Sequence, residues 1–196
     1  MPRLTRAESQ ARTREQLLAT ATQLFLRDGY FATSLEKVAD EAGFSKGAVY
    51  SNFGSKDELC LAVLDGIHAD QALQIGAALS ARGGFDRRLA ALRRWAERTL
   101  GDEGWSSLEI EFASQARRDP DLRAELARRS VAIRALIATM IEAHADDFGI
   151  ELPLPAADLA TALLSLGVGL GLQRALDPTV PARVFTDVVR ALAAPR

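Results

Sequence analysis

Cysteine occurs once, at Cys60, and histidine only as His68 and His144. A single thiol excludes an intrachain disulfide framework and fits a reducing compartment; within an apolar helical run it reads as a small core residue. Two histidines in unrelated surroundings, with no HExxH, no Walker loop and no serine–histidine–acid set, argue against an enzyme, and no metal or cofactor is expected. Runs of β-branched residues at period two are missing, which removes the usual strand signal. No stretch approaches the ~20 apolar residues of a bilayer span, and no apolar segment follows Met1-Pro2-Arg3-Leu4-Thr5-Arg6. A cytoplasmic protein without a membrane partner is expected. The formal net charge of −2 carries no global sign of nucleic-acid binding.

What is present is helix-forming. The 196 residues are 48% hydrophobic, enough for an ordinary core, and Ala, Leu, Arg and Glu dominate. Periodicity and breakers predict an all-α chain of about nine helices. The first runs from Ser9 to Asp28 and is closed by Gly29. A short one follows from a capping box, Thr33-Ser34-Leu35-Glu36, to Gly43, where a left-handed residue is sealed by Phe44. Ser45 caps a two-turn helix reaching Phe53, and a second box, Ser55-Lys56-Asp57-Glu58, opens a long helix toward Leu79. Helices at Asp86–Leu100, Trp105–Arg117, Asp119–Ala145 and Ala156–Leu176 follow, and a last one ends near Ala193. The expected domains are a small N-terminal module over 1–56 and a larger helical domain over 57–196.

Two short helices joined by a glycine turn and braced by a longer one make a helix-turn-helix, whose second helix fits the ~12 Å major groove. Charge is favourably placed: Arg3, Arg6, Arg12 and Arg14 crowd the start, and Gly43 to Lys56 holds two lysines and no acid. Gly47 inside the third helix loses about 1 kcal/mol of propensity, which close approach to DNA would explain. Ser45, Lys46, Ser51 and Asn52 carry hydrogen-bonding groups, Tyr50 offers a hydroxyl to phosphate, and Thr33, Ser34 and Lys56 stand at helix N-termini that favour phosphate. The same serines and threonine would serve as caps in any helical protein.

The stretch 29–59 is more specific. Gly29-Tyr30, Thr33-Ser34, Val38-Ala39, Ala42-Gly43, Ser45-Lys46-Gly47, Tyr50, Phe53 and Ser55-Lys56 together resemble the DNA-binding signature of TetR-family (TetR/AcrR-like) transcription regulators. The resemblance implies a cytoplasmic homodimer that binds palindromic double-stranded operator DNA, usually as a repressor, and leaves it when a small-molecule effector binds. It implies that Lys46, Gly47, Tyr50 and Asn52 lie on or beside the major groove while Thr33, Ser34 and Lys56 hold the phosphate backbone. Asn52 stands where the family often has histidine, so base preference does not carry over. Arg3 to Arg14 would form a mobile arm or a solvated tail.

Beyond residue 60 the likeness is one of helix order. Phe85, Trp95, Trp105, Leu108, Phe112 and Met140 are the large residues able to line a cavity for an apolar ligand, with plain core packing as the other reading. In Leu166-Gly167-Val168-Gly169-Leu170-Gly171-Leu172 the three glycines together lose about 3 kcal/mol of helix propensity. Gly167 and Gly171 share a face on which a second helix could lie close, and Val184, Phe185, Val188, Val189 and Leu192 form an apolar stripe. Leu163, Gly167, Gly171, Phe185 and Val188 are therefore expected in a four-helix dimer interface. A DNA-binding dimer without any effector remains the competing reading.

Overall fold

The computed structural model describes residues 5–193. Among them are nine helices and no strand: α1 (Arg6–Ala32), α2 (Leu35–Ala42), α3 (Lys46–Asn52), α4 (Lys56–Leu79), α5 (Phe85–Thr99), α6 (Glu103–Ala116), α7 (Pro120–Phe148), α8 (Ala156–Leu176) and α9 (Arg183–Leu192). The all-α expectation is met. Contacts divide the chain into two units, 1–69 with 107–122, and 70–106 with 123–196. The expected boundary at residue 56 coincides with the first residue of α4, whose helix runs on unbroken through position 69.

In the first unit α1 begins earlier than its apolar period suggests. The Thr5 hydroxyl accepts the Glu8 amide at 3.2 Å and the Glu8 carboxylate accepts the Thr5 amide at 2.7 Å, a complete capping box. Bonds donated by the Thr5 amide and then the Thr5 hydroxyl hold the Glu8 carboxyl below its ordinary range. Arg6 to Arg14 are therefore helical, which corrects the mobile-arm expectation; Arg3 lies outside the described residues. Gly29 breaks the helix at φ 82°, ψ 173°, and one further turn reaches Ala32.

The cap of α2 is Ser34, whose oxygen accepts the Lys37 amide at 3.1 Å. Thr33, expected there, is 1% exposed and its hydroxyl donates to the Gly29 carbonyl at 2.8 Å. Two adjacent hydroxyls compete for one cap, and the one turned inward under α1 loses it. At the far end Gly43 is left-handed at φ 72°, with Phe44 N–H on the Ala39 carbonyl at 2.9 Å and Gly43 N–H on Asp40 at 3.2 Å, the Schellman closure anticipated from the glycine. Ser45 caps α3 through the Ala48 amide at 3.2 Å. Ser55 accepts the Glu58 amide at 3.0 Å, while the Glu58 carboxylate turns to the Gly54 amide at 2.8 Å.

Leu17, Leu24, Phe25, Val38, Val49, Phe53, Leu59, Cys60, Val63, Leu108 and Phe112 are among the buried residues of this unit, the aliphatic and phenyl side chains each worth about 1.5–3 kcal/mol when fully removed from water. Cys60 is part of that core, and burial pushes its thiol far up.

The second unit gathers Leu89, Leu92, Trp95, Ala96, Leu100, Leu170 and Phe185 from α5, α8 and α9. Trp95 meets Phe185 edge-on at 5.9 Å and donates its indole N–H to Gln71 at 2.8 Å. Asp119 caps α7 by accepting the Asp121 and Leu122 amides at 2.9 and 3.0 Å, with Pro120 at the first helical position. Contrary to the hydropathy expectation, α8 is one helix long and apolar enough to cross a membrane by length and composition, with 22% of its apolar window buried.

Candidate nucleic-acid interface

The surface of α3 is built by anchoring one side of a two-turn helix. Val49 and Phe53 are wholly buried, which leaves Lys46, Gly47, Tyr50 and Ser51 exposed, with Asn52 half-buried. With no Cβ at Gly47, the nearest neighbour to that missing atom is the Ser45 hydroxyl at 3.8 Å, so the backbone there lies open to an approaching ligand. Ser34 and Ser45, exposed at the starts of α2 and α3, spend their oxygens on capping their own helices. The Asn52 amide donates to the Ala48 carbonyl at 2.8 Å and Ser51 to the same oxygen at 3.0 Å. The Tyr50 hydroxyl stands 3.5 Å from Glu36.

Two residues expected to grip phosphate are instead internal. Thr33 is buried, as above. The Lys56 ammonium donates to the Tyr30 and Thr33 carbonyls at 3.0 and 3.1 Å and lies 4.0 Å from the centre of the Tyr30 ring. Its charge completes the end of α1, where helix carbonyls are left without intrahelical donors.

Three of the acids around this surface are hydrogen-bonded. Asp57 accepts from the Tyr30 hydroxyl, Glu58 from Gly54, and Asp28 from Arg27 and Lys37, whose bonds hold its carboxyl well below the carboxylate range. Burial and Asp57 together raise the Tyr30 phenol far above its ordinary value, so that hydroxyl remains a donor. Lys46 faces outward on α3.

Three long-range contacts shape this unit beyond what the motif specifies. Arg14 donates to the Asn52 carbonyl and covers the Phe53 ring at 4.1 Å; the only hint was its place three residues before Leu17 on the stripe that α1 buries. Glu111 accepts the Phe31 amide at 3.0 Å. Phe112 packs on Tyr30 with ring centres 5.2 Å apart.

The residues expected around an effector are distributed. Leu108 and Phe112 are buried in the first unit, and Trp95 is in the core of the second. Phe85 clusters with His144 and Phe148 at 5.8 and 5.9 Å, while Trp105 and Met140 are half-buried in the second unit. The residues expected at a dimer interface have neighbours within their own protomer. A Cβ at Gly167 would lie 3.7 Å from Phe185 of its own chain, and one at Gly171 would lie 3.8 Å from Ser106 and 4.0 Å from the Gly101 nitrogen. Phe185 is 8% exposed. Gly171 and Phe185 are buried in the protomer, Gly167, Leu163 and Val188 are half-buried, and the large exposed apolar side chains of α8 are Val168, Leu172 and Leu176.

Residues 17–63 match the family described as bacterial regulatory proteins, tetR family, and residues 84–194 match the BetI-type transcriptional repressor C-terminal family. The HTH-type transcriptional activator FasR of Mycolicibacterium smegmatis is 49% identical over 51 residues, 26% of this chain and 23% of that protein. The HTH-type transcriptional regulator TcmR of Streptomyces glaucescens is 31% identical over 140 residues, 68% of this chain and 60% of its own length. The matched stretches thus span less than two thirds of these relatives. The crystal structure of E. coli NemR in reduced form shares the fold, with a TM-score of 0.74 at 22% identity over 94% of this chain and 99% of that one.

Proposed function

This chain belongs to the TetR family of DNA-binding transcriptional regulators, and from that membership we propose that it acts as a homodimeric repressor on a palindromic operator. The observation that carries the reading is the face of α3: Lys46, Gly47 and Tyr50 exposed on a helix pinned from behind by Val49 and Phe53. Lys46 and Tyr50 reach phosphate or base edges, and Gly47 lets the backbone come close. Two such helices in a dimer stand about one DNA turn, ~34–36 Å, apart and select an inverted repeat. Dimerisation runs through the apolar side of α8, where Val168, Leu172 and Leu176 follow at helical spacing, which accounts for a 21-residue helix this apolar. The match over residues 84–194 to a repressor domain favours repression over the activation named for FasR. The location is the cytoplasm, and the effector is a small, largely apolar molecule bound by the C-terminal unit.

Selection of random duplex DNA by the purified protein at near-physiological salt tests this. An enriched inverted repeat supports a specific dimeric regulator; uniform, salt-sensitive retention of all duplexes overturns it. Trp95 and Trp105 both belong to the second unit, so their fluorescence reports effector binding there. Displacement from the enriched duplex by a compound that also shifts this emission separates an inducible repressor from one without an effector.

A further inference from the structure

We propose that Arg14 is a positioning residue for α3, setting the angle of that helix on the DNA-binding unit without itself touching DNA. This rests on the reading of α3 as the recognition helix.

On its own α3 is poorly determined. It has seven residues, too few to be stable alone in water, and Gly47, Val49, Tyr50, Ser51 and Asn52 all rank below alanine as helix formers. Its N-terminus is fixed by Ser45 and its inner side by Val49 and Phe53. The C-terminal end is held from α1: the Arg14 guanidinium donates to the carbonyl of Asn52, the last residue of the helix, and its central carbon lies over the ring of Phe53, 4.1 Å from the ring centre. A cation at that end is favoured by the helix dipole. The planar guanidinium can stack and donate at once, which an ammonium on a flexible stem cannot. Phe53 is thus gripped between the core beneath it and Arg14 above. Rotation of α3 about its axis, which would redirect Lys46 and Tyr50, has to break both Arg14 contacts.

An exposed arginine on a DNA-binding unit invites a simpler role, direct contact with phosphate, and salt dependence separates the two. Losing a phosphate contact lowers the slope of log K against log salt by about one; losing a positioning contact leaves the slope and weakens base discrimination. The probe is the duplex enriched by the wild-type protein, together with single-base variants of it. Arg14→Ala is expected to bind that duplex about tenfold more weakly, the scale of one spoiled base contact, with an unchanged salt slope and a smaller penalty for the variants. Amide exchange of Asn52 and Phe53 should quicken while that of α2 does not. Arg14→Lys, which keeps the charge, should fall between the two proteins.

A slope reduced by about one in Arg14→Ala, restored in Arg14→Lys, makes Arg14 a phosphate contact and overturns the proposal. Unaltered binding by Arg14→Ala overturns it too and leaves the regulator reading standing. If the wild-type protein enriches no duplex, both fall.

Discussion

The carboxylate of Glu111 occupies the space that a side chain on Gly29 would need. A Cβ there would stand 2.6 Å from one carboxylate oxygen, and the other accepts the Phe31 amide at 3.0 Å. Gly29 at φ 82°, ψ 173° is in a region that glycine almost alone adopts. Gly29→Ala should therefore destabilise the protein by about 1–3 kcal/mol from strain, and more from the collision. In a Glu111→Ala background the collision is gone, so the penalty should shrink by about 0.5 kcal/mol or more. Urea unfolding of the two single variants and the double measures this; equal penalties in both backgrounds would leave backbone strain as the whole effect.

Lys56 and Lys46 should part company. The Lys56 ammonium bonds two carbonyls at 3.0 and 3.1 Å, so Lys56→Met should lower stability by about 1.5–3 kcal/mol and leave the salt slope of DNA binding alone. Lys46, exposed on α3, should do the reverse: Lys46→Ala is neutral for stability and reduces the slope by about one. Denaturant melts and salt titrations of both variants decide it, and a Lys56→Met slope reduced like that of Lys46→Ala would mean the ammonium swings out to meet DNA.

Acid should weaken the second unit through His144. Burial first, then Arg88 beside it, pushes this imidazole below its ordinary value of 6.5, Asp147 opposing; Phe85 and Phe148 complete its surroundings. Above that value neither the folded nor the unfolded chain holds the proton, and stability is full. As the pH falls through it the unfolded chain protonates first, and the folded state loses ground until its own, lower pKa is reached. Thermal melts from pH 8 to pH 5 should show the wild-type protein losing more than His144→Asn; parallel curves would refute the assignment.

Leu172→Glu should separate the dimer. Leu172 is 40% exposed and shares the outer stripe of α8 with Val168 at 55% and Leu176 at 80%, so a carboxylate there adds a charge to an apolar contact without entering the protomer core. Sedimentation should show monomers with unchanged helicity. By contrast, leucine at Gly167 or Gly171 would press on Phe185 or on Gly101 and Ser106, testing the fold rather than the assembly. A Leu172→Glu protein that stays dimeric would move the interface off α8.

What could be read in advance was local. Nine helices, the closure at Gly43, the caps at Ser45 and Asp119 and the break at Gly29 all follow from residues within a turn or two of each other. The exposed set Lys46, Gly47 and Tyr50 was legible for the same reason: the apolar partners Val49 and Phe53 fix which side of α3 faces out. Local pattern runs out where two local solutions compete or where a distant element decides. Thr33 and Ser34 offer equivalent hydroxyls, and only the packing of α1 assigns the cap. Gly167 and Gly171 announce a close neighbour without naming it, and the neighbours are Phe185 and the turn before α6. Arg14 with Asn52, and Glu111 with Phe31, join positions 38 and 80 residues apart, beyond the reach of any periodicity.

The DNA-binding unit is not continuous along the chain: residues 1–69 are completed by 107–122. During synthesis the helix-turn-helix emerges first, yet the ring of Tyr30 lacks Phe112 and the Phe31 amide lacks Glu111 until a further 50 or so residues have been added, several seconds at ordinary elongation rates. The nascent module waits half-built on the ribosome. A gene fragment ending after α4 would encode every residue expected to meet DNA and still yield an unfinished reader.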